Sequence, residues 1–187
     1  MILVIDTSSA TAAIATLNGE RSETLVSART GELQSTLRQV VRDKDITKVA
    51  VVTGPGSFTG LRVGVSFAVG LAMGRRIPIV PLPTLDLQAA RSDDRVTAIA
   101  DAGRGRFYFR LPDGTAGVGD PAEISTEYPL VGRLAGRDAL TAAGHRFKRE
   151  DELRRFVDAA AILLETASEV PYRNLEIEYM QSFSRKV

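Results

Sequence analysis

The stretch Thr53-Gly54-Pro55-Gly56-Ser57-Phe58-Thr59-Gly60-Leu61-Arg62-Val63-Gly64 gathers hydroxyls, glycines and one cation in a spacing that could do chemistry. It follows a β-branched run, Ile46-Thr47-Lys48-Val49-Ala50-Val51-Val52, that reads as a buried strand, and it leads into an apolar, glycine-spaced helix from Leu61 to Gly74. A tight loop between a strand and a helix start directs backbone N–H groups outward, which suits an anion or a closely approaching partner. The same residues also suffice for a plain strand-to-helix turn, with Gly54 and Gly56 supplying unusual φ angles and Ser57 or Thr59 capping the helix. The known phosphate loops do not fit. A Walker loop needs a lysine after its last glycine, and no lysine lies between Lys48 and Lys148. The dinucleotide spacing misses by one residue, and no Gly-x-Ser-x-Gly elbow surrounds Ser57.

Hydrolytic and metal chemistry find little support. Ser57 as a nucleophile would need a base, and the one histidine, His145, lies far along the chain in Gly144-His145-Arg146 without an orienting acid, where it reads as a surface or loop residue. A single histidine excludes a multi-histidine metal site, and the absence of cysteine excludes disulfides, thiol catalysis and thiolate-held metals. Asp6-Thr7-Ser8-Ser9 ends an apolar strand and has the composition of an Asx or hydroxyl turn. In the helix after the glycine loop, Gly60, Gly64, Ala68 and Ala72 recur every fourth residue and are flanked by Leu61, Val65 and Val69. Such a stripe lets a second helix approach closely, or lets the helix settle on its own sheet; spacing alone leaves both open.

The elements around these residues alternate in the manner of an α/β lobe. Strands are expected at Ile2 to Thr7, Thr11 to Leu17, Arg21 to Ala28 (after an Asn18-Gly19 hairpin turn), Val49 to Thr53 and Ile77 to Val80, with helices at Glu32 to Asp43 and Thr59 to Gly74. Pro81, Pro83 and the polar segment Arg91 to Arg95 mark a boundary, giving a first lobe over 1–95 and a smaller second one over 96–187 with a C-terminal helix and tail. The second half opens as the first does. Val96 to Asp101 is an apolar strand ending in aspartate, followed by a turn at Gly103 to Gly105 and a strand at Phe107 to Leu111, which suggests an internal duplication. Beyond the turn at Pro112-Asp113-Gly114 the pattern weakens, apart from an amphipathic helix expected over Glu150 to Glu169 and an extended tail from Pro171.

With 187 residues, 44% hydrophobic and 25% charged, the chain has the composition of a globular protein able to bury a core. A formal charge of +1 gives no broad field for nucleic acid. Neither a secretion signal nor a membrane span is apparent, so a cytoplasmic protein is expected.

Taken as a whole string, Gly54 to Gly64 together with Ile5-Asp6-Thr7-Ser8 strongly resembles the bacterial TsaB (YeaZ) family, closely over roughly the first 90 residues. The resemblance implies an actin-like (ribonuclease H-like) two-lobed α/β fold with a reduced second lobe. It also implies a non-catalytic scaffold role in making threonylcarbamoyladenosine in tRNA. The partners implied are the transferase TsaD, bound through helices of the first lobe, and the ATPase TsaE. Whether the chain forms a homodimer when alone is left open, with tRNA expected to be met only through the complex and no membrane involved. On that reading Gly60, Leu61, Gly64, Val65, Ala68, Val69 and Ala72 form the interface. Asp6, Thr7, Ser8 and Ser57 keep the outline of a metal–phosphate site of actin-like ATPases, expected to be vestigial because the second half lacks a glycine-rich adenosine segment, Gly114 to Gly119 being a poor substitute. No cofactor or metal is expected. The rival readings are an autonomous actin-like ATP-binding phosphotransferase or ATPase and, as a minor one, a peptidase. Two departures stand out: the family's Arg-x-His-Ser is replaced by Arg29 to Ser35 without histidine, and its Tyr-x-Arg by Tyr179-Met180-Gln181.

Overall fold

In the first half of the chain, strands of β-branched and small residues alternate their side chains between two covered faces. The computed structural model describes residues 1–27 and 31–178; the sequence readings at Ala28, at Arg29-Thr30 and at Tyr179-Met180-Gln181 lie outside the described residues. The elements are β1 (Ile2–Asp6), β2 (Thr11–Asn18), β3 (Glu20–Ser27), α1 (Glu32–Asp43), β4 (Lys48–Gly54), α2 (Phe58–Arg75), β5 (Ile79–Pro83) and α3 (Thr84–Ala89). They continue with β6 (Thr97–Gly103), β7 (Arg106–Arg110), β8 (Ala116–Gly119), β9 (Leu130–Val131), α4 (Asp138–Ala142) and α5 (Phe156–Leu164). The first sheet runs β3-β2-β1-β4-β5, with β1–β2 and β2–β3 antiparallel and β1–β4 and β4–β5 parallel. Leu3, Ile5, Ile14, Val49 and Val51 point to one face, where Leu33 and Leu37 of α1 and Ala68 and Ala72 of α2 cover them. Their neighbours Val4, Ala13, Ala15, Ala50 and Val52 point to the other, against Leu87 of α3 and Phe156, Val157 and Ala160 of α5.

The second sheet runs β8-β7-β6-β9, with β6–β7 and β7–β8 antiparallel and β6–β9 parallel. It repeats the first four strands of the first sheet in order and direction. Its core is smaller: Ile99, Phe107, Ile124, Leu130 and Leu140 on one face, and Ala98 and Ala100 against Leu85 of α3 on the other.

Two expectations change. The strand read as Ile77 to Val80 runs through Pro81 and Pro83, which pair with Val51 and Gly54. Proline is tolerated because β5 is the sheet's edge, where a missing N–H leaves no neighbour unpaired. The helix read over Glu150 to Glu169 shrinks to α5, because Leu153 and Arg155 are extended. The backbone between them is taken up elsewhere: Arg154 N–H donates to the Arg91 carbonyl, and Arg91 Nε donates to the Arg154 carbonyl. The shortened helix also packs on the first sheet, not on the second lobe to which the sequence reading gave it. Past α5, Val170 N–H donates to Ile79 O and Glu178 N–H to Thr53 O, so the described tail runs along the first sheet too. Among the described residues no helix is long and apolar enough to cross a membrane.

Candidate functional site

The turn after β1 and the glycine loop after β4 are joined along the backbone. Ser57 N–H donates to Ser8 O at 2.7 Å, and the helix start at α2 is seated on Thr7. A Cβ at Gly60 would lie 2.1 Å from Thr7 O, one at Gly64 2.2 Å from Thr7 Oγ1, and one at Gly56 2.5 Å from Ser8 O. At Gly56 and Gly60 a Cβ would strike backbone, and at Gly64 the Thr7 side chain, so no larger residue fits. The donors that an anion would need are largely spent inside the chain: Ser8 N–H on Asp6 Oδ1 at 2.8 Å, Gly60 N–H on Ser57 Oγ at 3.2 Å, and Leu61 N–H on Ser57 O. Ser57 is therefore the N-cap of α2, the plainer of the two readings its position allowed.

Asp6 is fully buried at the end of β1. One carboxylate oxygen caps Ser8; the other has no hydrogen-bond partner and lies 3.7 Å from a guanidinium nitrogen of Arg133, which follows β9. Arg133 also lies over the ring of Phe156, 4.9 Å from its centroid. Burial pushes the Arg133 guanidinium below its ordinary range, and the charge of Asp6 acts against that shift. A metal-bound phosphate of the actin-like kind needs a carboxylate open to a cation and free amides beside it. The residues present do not fit: one oxygen of Asp6 is occupied, the other faces a cation of the same chain, and the Ser8, Ser57 and Gly60 amides beside it are bonded within the chain.

Between the two sheets lies a cleft of about 770 Å³. Ser9, Ser57 and Thr59 line one wall, and Asp101, Arg104 and Tyr108 the other. Arg104 sits at φ 55° between Gly103 (φ 78°) and Gly105 (φ 76°), a left-handed run that carries the turn between β6 and β7 outward to the cleft rim. Asp101 Oδ2 accepts from Ala135 N–H at 3.0 Å. His145 takes no part in this cleft. It lies in the loop after α4, as one of its two readings had it, but buried rather than on the surface, with Nε2 2.8 Å from Pro121 O.

Helix α2 turns its small-residue stripe inward. Leu61, Gly64, Ala68 and Ala72 are buried in the chain's own core, Gly60 rests on Thr7, and Val65 and Val69 are partly buried against the same core. The interface expected at Gly60, Leu61, Gly64, Val65, Ala68, Val69 and Ala72 is thus occupied by the sheet, since small residues let α2 settle closely on β1 and β4. The apolar residues left in solvent are on other sides of α2: Phe58, Val63 and Met73 are 51%, 41% and 54% exposed. A groove of about 640 Å³ runs between α1 and α2, lined by Gln34, Arg38, Phe58, Arg62, Val63 and Phe67. The Arg62 guanidinium lies 3.6 Å above the Phe58 ring. Sequence reasoning missed this face and Arg133. Phe58, Arg62 and Ser66 recur at every fourth position, two residues ahead of the stripe, a signal that was present; Arg133 carried none.

A family model described as TsaD, tRNA N6-adenosine threonylcarbamoyltransferase, matches residues 24–118. The Bacillus subtilis (strain 168) tRNA threonylcarbamoyladenosine biosynthesis protein TsaB is 34% identical over 126 residues, which cover 59% of this chain and 54% of that protein. The Escherichia coli (strain K12) protein of the same name is 40% identical over 70 residues, covering 35% of this chain and 30% of that one. The chain thus spans about half or less of the length of these curated relatives it matches. Among solved structures, an uncharacterised protein with similarity to the peptidase YeaZ from Pseudomonas aeruginosa superposes with a TM-score of 0.72 at 19% identity, over 96% of this chain and 99% of that one. That likeness and the two mixed sheets make the fold actin-like (ribonuclease H-like). From the family match over half its length and the curated relatives together, the chain belongs to the TsaB (YeaZ) family.

Proposed function

We propose that the chain is a non-catalytic subunit in tRNA N6-threonylcarbamoyladenosine biosynthesis that binds a TsaD-family transferase through the α1–α2 face. The observation that carries this reading is the groove beside α2, where Phe58, Val63 and the stacked Arg62 leave apolar surface in solvent on a rigid helix pair. Aromatic and arginine side chains of this kind are enriched at protein–protein interfaces. The names of the relatives supply the pathway. A scaffold role is supported by the Ser57 hydroxyl capping α2, by His145, buried and bonded outside the cleft, and by Asp6 facing Arg133. TsaE is expected to join once the pair has formed, and tRNA to be met through the complex.

The test is titration calorimetry of the chain against TsaD from the same organism. Phe58→Asp should weaken binding at least tenfold with the melting temperature nearly unchanged, whereas Ser57→Ala should leave the yield of threonylcarbamoyladenosine by the reconstituted complex within a few-fold of the parent. Unaltered affinity in Phe58→Asp would remove the α1–α2 face from the interface. The isolated chain should turn over ATP no faster than a blank; turnover abolished by Asp6→Asn in a folded protein would revive the phosphotransferase reading.

A further inference from the structure

We infer that Arg133 is the built-in counter-cation of Asp6, and that the pair clamps the second sheet onto the end of β1 and so sets the width of the cleft between the sheets. The inference rests on the fold alone and not on any partner. Asp6 is fully buried, and its Oδ2 has no other polar neighbour within bonding distance. Arg133 comes from the far side: it follows β9 of the second sheet, its side chain is 14% exposed, and it reaches between the end of β1 and Phe156 of α5. A carboxylate desolvated to this degree needs a compensating charge, and the chain supplies one in the place where a bound cation would otherwise face it. Further charges acting on Arg133 are Arg91, which opposes its protonation, and Glu23 and Glu150, which favour it, so Asp6 is the strongest charge acting on it but not the sole one.

Position makes this pair a device for the cleft. Thr7 and Ser8, the residues after Asp6, line one wall, and Ala135, two residues after Arg133, lines the other. A displacement of one charge from the other therefore moves both walls. The other ion pairs that join residues 1–95 to residues 96–187 among the described residues, Arg21–Asp158, Lys48–Glu169, Arg91–Glu150, Arg110–Asp86, Lys148–Asp94 and Arg154–Asp93, each have at least one partner side chain well exposed, where solvent weakens the attraction. Asp6–Arg133 is the pair in which both partners are largely buried, so its rupture strands a charge on each side of the cleft.

The cysteine-free sequence makes the test direct. Nitroxide labels at Ser9→Cys and Arg104→Cys, one on each wall, report the cleft width by double electron–electron resonance. The parent chain should give one narrow distance distribution; Arg133→Met and Asp6→Asn should each broaden it at least twofold while circular dichroism stays native. In urea unfolding, the double variant should lose at least tenfold less in the folding equilibrium constant than the two single losses multiplied together, because neither charge is left unpaired. Unchanged distance distributions, or losses that simply multiply, would reduce Arg133 to packing on Phe156 and overturn the clamp. Should Arg133→Met fail to fold, Arg133→Lys decides: a narrow distribution supports the charge, and one as broad as that of Asp6→Asn rejects it.

Discussion

The two sheets share four strands in the same order and direction, yet they differ in what stands behind the turn at the end of the first strand. In the first sheet, β4 leads into the 18-residue α2, which lies on the Thr7–Ser8 turn with glycine at each close approach. In the second, the matching strand β9 has two residues, and the helix that follows it, α4, has five. Nothing presses on the β6–β7 turn, so Gly103-Arg104-Gly105 bends outward in the left-handed region. One frame thus carries a turn locked by a long helix and a turn left open to a cleft. The difference shows that a shared strand order leaves open whether the turn after the first strand is packed or exposed; the length of the helix that follows the fourth strand decides it.

Several substitutions would break or sharpen that contrast, beginning with the most damaging. Phe156→Ala empties a fully buried site between α5 and the first sheet and removes the ring beneath Arg133; a loss of about 3–5 kcal/mol is expected in urea unfolding. A loss under 1 kcal/mol would mean that α5 is not part of the first sheet's core. Gly64→Ala presses a Cβ against Thr7 Oγ1 and should destabilise by about 1–3 kcal/mol. Gly70→Ala, on the same helix but with open space at the Cβ, should stabilise by about 0.5–1 kcal/mol. Opposite signs in thermal melts of these two variants would establish which side of α2 is locked; equal signs would refute the packing described.

The smallest effect concerns Asp158 in the first turn of α5, whose carboxylate is bonded by Arg155 and by Arg21 of β3. The Arg155 bond, aided by Arg21 and opposed by partial burial, holds its carboxyl below the usual aspartate range. A carboxylate lowered on folding adds stability above its unfolded pKa and loses it as pH falls through the folded one. The stability gap between the parent and Asp158→Asn should therefore be constant near neutrality and close below about pH 4. A gap that persists at pH 2 would show that charge is not its source.

The first half was legible because both faces of its sheet are buried and its periodicities are long: α1 falls where Leu33, Leu37 and Val40 foretold it, and β1, β2 and β4 fall within a residue or two at each end. The second half was legible only to the end of β7, since β8 is made of Ala116, Gly117, Val118 and Gly119 and β9 of two residues, too short to show a period. The helix stripe illustrates a sharper limit. Gly64, Ala68 and Ala72 announce close packing, but spacing is the same whether the partner is a foreign helix or the chain's own β1. Arg133 was invisible because a contact between residues 6 and 133 leaves no mark on local sequence.

The first sheet ends at β5, where Pro81 and Pro83 stand and Val170 bridges Ile79 from outside. An exposed strand normally offers a ladder of unpaired groups on which a second chain can be copied. Here two rungs lack their hydrogen and another is already taken, so this border cannot template the growth of fibrils or of edge-to-edge ribbons. The opposite border, β3, begins Glu20-Arg21-Ser22-Glu23, where alternating charges discourage the same event. Copies of this protein that meet at high concentration, as in an overexpressing cell, are thereby steered away from strand-to-strand aggregation and left to touch through their helices.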